Sequence, residues 1–198
     1  MKTLTLPTRD PAPMLERALN EWGGRGDLWV FGYASLIWRP EFDFVERRTA
    51  RVHGWHRALK MWSHINRGTP ECPGLVFGML SGGSCRGMVF RVAQAQAGAV
   101  MRHLWQREMP VGVYDPRWLA CQTPQGTVSA LAFTLSRNSP SHTGTLDADT
   151  YQRIFRQASG RYGSTRDYAH ATYEGLRAVG IHDRALARLL AISDSAPE

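Results

Sequence analysis

Leu28-Trp29-Val30-Phe31-Gly32-Tyr33-Ala34-Ser35-Leu36-Ile37-Trp38 is the stretch on which the fold turns. Its first six residues form a continuous apolar run of β-type side chains bounded by glycine, which reads as a buried strand. The run then breaks into small and hydroxyl residues at Ala34 and Ser35, a strand-to-loop turn. Upstream, Asp10-Pro11 predicts a helix start, with an N-cap followed by Pro at the first helical position. Leu15, Ala18, Leu19 and Trp22 share one helical face, and Gly23-Gly24 ends it. Downstream, Val45 to Trp62 predicts further strands around Gly54. Gly74 to Phe77 and Arg86 to Val92 predict two more, separated by the turn signal Ser81-Gly82-Gly83-Ser84. Helical spacing runs from about Gln94 to Met109, and strand patterning returns from Val128 to Leu135.

The last third reads as helical. Tyr151, Ile154 and Phe155 mark one helix, Ser164 to Asp167 open a second through a capping box that Gly180 closes, and Leu186, Leu189 and Leu190 mark a third. Strands, helix, strands and helices in that order predict an α+β protein whose strands close into a small mixed β-barrel, or curl as a sheet, flanked by helices. The expected division is a helical extension over residues 1–26 and one domain over 27–198.

The chain of 198 residues carries a net charge of +7, from 24 basic and 17 acidic residues. That raises the question of nucleic acid. The longest basic run is only Arg47-Arg48, and no RNP or zinc-finger pattern occurs, so no nucleic-acid partner is expected; a binder on a borrowed fold is the rival reading. The same charge suits attraction of a small anionic substrate. Cys72, Cys85 and Cys121 form no CxxC pair, and the seven His show no ligand spacing, so neither a disulfide framework nor a metal site is expected. The opening, Met1 to Pro7, lacks a signal-peptide run, and no stretch is long and apolar enough for a membrane span. The expectation is a reduced, cytoplasmic compartment.

Glu108 follows Met101, Leu104 and Trp105 at helical spacing. A carboxylate on an apolar face is harder to ionise, and a carboxyl titrating near neutrality serves as a general acid/base. The plainer reading is that it caps the helix or pairs with Arg102 or Arg107. The turn after Phe31-Gly32 offers backbone N–H groups that could form an anion-binding nest or oxyanion hole; it could equally be an ordinary loop. Arg67, in Asn66-Arg67-Gly68-Thr69-Pro70, could fork onto a carboxylate or sit in solvent. Tyr162 and Tyr168 could face a pocket or fill the core. There is no GxSxG elbow and no P-loop.

Four segments, in order, resemble the ChaC-type γ-glutamylcyclotransferases. Phe31 to Trp38 is similar to that family's FGYGSLIW signature, Arg67 to Leu75 to its RGTPxxPGL segment, Leu104 to Met109 to its LWxREM segment, and Gly160 to Tyr168 to its late glycine-rich segment. The resemblance covers roughly Asp27 to Ile192. It implies a mixed barrel flanked by helices, cleavage of glutathione to 5-oxoproline and cysteinylglycine, no metal and no cofactor. Carried over residue by residue, it makes Glu108 the acid/base and gives substrate binding to Gly32, Tyr33, Ala34, Ser35 and Leu36, with Arg67 and Tyr168 orienting the substrate. Ala34 stands where the family has Gly, which would strain the chain if that position needs φ > 0, or narrow the pocket if substrate packs there. A sister activity on other γ-glutamyl amino acids or amines is the alternative. The sequence leaves the oligomeric state open.

Overall fold

The computed structural model describes residues 9–194. Met1 to Pro7, read above as lacking a leader, lie outside the described residues. Along the chain run α1 (Ala12–Trp22), β1 (Leu28–Gly32), α2 (Ser35–Trp38), β2 (Glu46–Ser63), β3 (Gly74–Val92), α3 (Gln94–Glu108), β4 (Asp115–Thr123) and β5 (Gly126–Thr134). There follow α4 (Ala148–Gln157), the two-residue strands β6 (Ser159–Gly160) and β7 (Gly163–Ser164), α5 (Thr165–Ala178) and α6 (Arg184–Asp194). Among the described residues no helix is long and apolar enough to cross a membrane.

The strands β1-β3-β2-β4-β5 close into a barrel, as the patterning predicts. It is mixed: β1 pairs antiparallel with β3, Leu28 opposite Val92, and parallel with β5, Val30 opposite Leu131. Closure removes the open edges that a five-stranded sheet would leave. The side chains of Leu28, Val30, Phe31, Val89, Phe90 and Leu131 are almost fully buried. Fully burying such side chains contributes about 1.5–3 kcal/mol each.

The expected elements change at four points. Gly74 to Phe77 and Arg86 to Val92 belong to one strand, β3, that runs through Ser81 to Ser84. Gly82 and Gly83 sit at φ 98° and 70°, so the backbone bends there without leaving the ladder. Likewise the stretch expected as several strands over Val45 to Trp62 is one, Glu46–Ser63, and Gly54 takes φ 79° within it. β4 was not anticipated: Pro116 and polar residues break its alternation, although the Thr123-Pro124-Gln125-Gly126 turn marks its end. At α1, Pro11 takes the N-cap position and Asp10 Oδ1 accepts the Ala12 N–H at 3.0 Å, one residue later than the expected cap.

Two compact units emerge from the contacts. One comprises, of the described residues, 9–57 and 79–139, with β1, β4, β5, most of β2 and β3, and α1, α2 and α3. In it α1 is fastened to α3 through Trp105, whose Nε1 donates to the Pro11 carbonyl at 3.0 Å. The other comprises, of the described residues, 58–78 and 140–194, with α4, α5 and α6. Its core holds Leu59, Leu75, Phe77, Tyr151, Phe155, Tyr168 and Leu176. Here Ser164 Oγ accepts the Asp167 N–H at 3.0 Å, which is the predicted cap of α5, and Gly180 turns the chain at φ 72°.

Candidate active site

α3 carries its apolar face as the spacing predicts. Met101 and Leu104 are 0% exposed and Trp105 4%, and Trp105 meets Phe133 of β5 edge-on at 5.3 Å. Glu108 is the last residue of this helix, and 18% of its side chain is exposed. Burial pushes its carboxyl above the ordinary value, Arg107 pulls it down, and the charge of Glu41 adds to the rise. A helix C-terminus also disfavours negative charge. Of the two partners weighed for Glu108, Arg107 is the one it meets, Nε to Oε1 at 3.0 Å, while Arg102 donates to the Gly98 carbonyl. Pairing and a raised carboxyl therefore coexist, because desolvation outweighs a single guanidinium that is shared with other groups.

Arg107 reaches well beyond Glu108. Its Nη1 donates to the carbonyls of Arg39 and Pro40 at 2.7 and 3.1 Å and to Glu41 Oε2 at 2.9 Å, and its Nη2 donates to Ser35 Oγ at 3.2 Å. One guanidinium thus ties the end of α3 to the segment that follows β1. Both pieces come from the quoted sequence segments, and they meet in the same unit.

That segment is built rather than loose. Gly32 ends β1, Tyr33 is 7% exposed and its Oη donates to the Phe133 carbonyl at 3.0 Å. Arg57 Nη1 donates to the Tyr33 carbonyl at 2.7 Å and to the Arg86 carbonyl at 3.1 Å. A Cβ on Gly87 would lie 2.4 Å from the Gly32 carbonyl oxygen, so only glycine lets β3 approach here. Ala34 opens the single turn α2, with its carbonyl accepting the Ile37 N–H at 2.9 Å, and Leu36 and Ile37 are buried. Its φ is −141°, outside the left-handed region, so the penalty anticipated for alanine in the glycine position does not arise from φ. The first N–H groups of a helical turn have no intrahelical acceptor and can serve an anion or oxyanion.

Arg67 and Tyr168 come together in the other unit. The Arg67 guanidinium lies over the Tyr168 ring at 4.8 Å and donates to the Tyr162 carbonyl. Tyr168 is 6% exposed and packs against Phe77 at 5.5 Å, whereas Tyr162 is 54% exposed. Thr165 Oγ1 accepts the Leu75 N–H at 2.9 Å and donates to the Arg67 carbonyl at 3.2 Å, clamping the two ends of the Arg67–Leu75 loop.

Sequence reasoning missed the roles of Arg57, Glu41 and Thr165. Each acts through backbone atoms or another side chain distant in sequence, so periodicity carries no trace of it. Arg107 was visible only as a neighbour of Glu108.

A closed mixed barrel, with a half-buried carboxyl tied by Arg107 to a built turn at the end of its first strand, offers the parts of a small-molecule site. Comparison with known proteins makes the assignment particular. Residues 28–195 match the family model described as ChaC-like protein, and the chain belongs to that family. It is 32% identical over 166 residues to the glutathione-specific γ-glutamylcyclotransferase of Escherichia coli strain K12, covering 83% of this chain and 72% of that one. To the glutathione-specific γ-glutamylcyclotransferase 1 of Homo sapiens it is 28% identical over 170 residues, covering 83% and 76%. Among solved structures, a γ-glutamyl cyclotransferase specific to glutathione from yeast superposes with a TM-score of 0.76 at 19% identity, over 86% of this chain and 96% of the other. That likeness bears out the γ-glutamylcyclotransferase-like barrel.

Proposed function

We propose that this protein cleaves glutathione, joining the α-amine of the γ-glutamyl group to its own side-chain carbonyl and releasing 5-oxoproline and cysteinylglycine, with Glu108 as acid/base. The observation that carries the reading is the half-buried carboxyl of Glu108, its proton affinity raised by burial, tied by Arg107 to the turn after β1. Membership of the ChaC-like family and the glutathione-specific relatives supply the substrate.

The chemistry explains why so little machinery is needed. Nucleophile and electrophile lie in one molecule, so holding the substrate in a ring-like conformer provides a large effective molarity. The amine is protonated at neutral pH, and a base must take a proton before it attacks. The new C–N bond forms as the carbonyl becomes a tetrahedral oxyanion. The amide C–N bond to cysteine then breaks, and its nitrogen leaves with a proton. One carboxyl whose proton affinity burial has raised performs both transfers. Backbone N–H groups from Tyr33 to Leu36 serve the substrate's α-carboxylate or the oxyanion. Arg67 and Tyr168 are the further candidates for orienting the substrate.

The test is incubation of the purified protein with glutathione and detection of 5-oxoproline and cysteinylglycine by mass spectrometry, beside Glu108→Gln. Wild type should form both products. The variant should fold and lose about 10²-fold or more in turnover. Near wild-type turnover in the variant would sink the acid/base assignment; products from other γ-glutamyl amino acids or amines but not from glutathione would move the substrate.

A further inference from the structure

Among the described residues Glu41 is the one non-glycine residue at positive φ, 58°. Side-chain-bearing residues seldom occupy that region, and where they do the surroundings hold them there, often at a functional site. Two arginines hold Glu41. Arg39 Nε donates to its Oε1 at 2.5 Å, and Arg107 Nη1 donates to its Oε2 at 2.9 Å. Arg107 meanwhile keeps its Nε at 3.0 Å from Glu108 Oε1 and is itself only 17% exposed. A guanidinium that turned its full fork onto Glu108 would make two charge-assisted bonds there and favour the ionised form strongly. Here the fork is divided.

We propose that Glu41 is a positioning residue acting through Arg107: it engages one end of the guanidinium, so that Glu108 receives only the other and remains able to carry a proton during the reaction. The proposal rests on Glu108 being the acid/base described above. The charged groups facing Glu108 are Arg107 from its own helix and Glu41 from the segment after α2, with Arg39 pairing Glu41. Glu41 and Arg107 bear on the Glu108 carboxyl in opposite directions, Glu41 raising its proton affinity and Arg107 lowering it. Removing each should therefore move the enzyme oppositely, which a loop-fastening role does not predict.

The experiment measures kcat/KM against pH for wild type, Glu41→Gln, Glu41→Gly, Arg107→Gln and Glu108→Gln, with a thermal melt of each. Both Glu41 variants should move the acid limb to lower pH and Arg107→Gln should move it to higher pH, each by about one pH unit, the low end for a charge a few ångströms away. Glu41→Gly keeps the test open if Glu41→Gln folds poorly, because glycine adopts φ 58° without penalty. If Glu108→Gln is inactive and the limb stays in place, or moves upward, in the folded Glu41 variants, Glu41 only fastens the loop and the proposal falls alone. If Glu108→Gln turns over like wild type, the acid/base reading itself has failed.

Discussion

Thr165 offers a test of how the Arg67–Leu75 loop is held. Its side chain is 0% exposed, and its hydroxyl accepts the Leu75 N–H at 2.9 Å while donating to the Arg67 carbonyl at 3.2 Å. Thr165→Val keeps the shape and removes the hydroxyl. A buried N–H left without its acceptor costs about 1–3 kcal/mol, and the second, longer bond contributes about 0.5–1.5 kcal/mol. Water cannot take the hydroxyl's place, since even a Cβ built on Gly74 would lie 2.5 Å from Thr165 Oγ1. The expected loss is about 2–3 kcal/mol, or roughly 4–12 °C in Tm for a chain of this size. Thr165→Ser is the companion: it keeps both bonds and gives up one buried methyl, about 1 kcal/mol. Equilibrium urea unfolding, with m compared between variants, measures both. A serine variant as unstable as the valine variant would show that packing, not the hydroxyl, holds the loop.

Two further outcomes are expected. Glu108 carries its proton more tightly folded than unfolded, so it costs the folded state increasing stability as pH rises above its ordinary value of 4.5. Glu108→Gln cannot ionise; its Tm relative to wild type should climb as pH rises above about 4.5, and a difference that stays constant with pH would refute the raised carboxyl. Arg67→Lys retains the charge but loses the planar fork over Tyr168. A role in orienting glutathione requires KM to rise several-fold with kcat little changed; a fall in Tm with unaltered kinetics would leave Arg67 as scaffold only.

Much of this architecture was legible in the chain. The apolar run of β1 follows from continuous burial, and α3 from its spaced apolar residues, because a local period reports which face is covered. The cap at Ser164 was equally plain, since a cap is satisfied within one turn. The bends at Gly54 and Gly82-Gly83 were misread as element breaks. Glycine signals that the backbone turns, and only the partner strands determine whether the ladder continues through the turn. β4 escaped because its pairing with β5, Asp115 opposite Thr134 through Thr123 opposite Gly126, compensates for weak intrinsic patterning.

The same division runs through the site. Sequence by itself determined that Glu108 ends an amphipathic helix, that a turn follows the first strand, and that the chain's four motifs resemble those of one family. Tertiary structure decided what surrounds the carboxyl: Arg107 divided between Glu108, Glu41 and Ser35, and Arg57 gripping the Tyr33 carbonyl. Proton affinity depends on burial and on charges a few ångströms away, and those neighbours are set by folding rather than by distance along the chain.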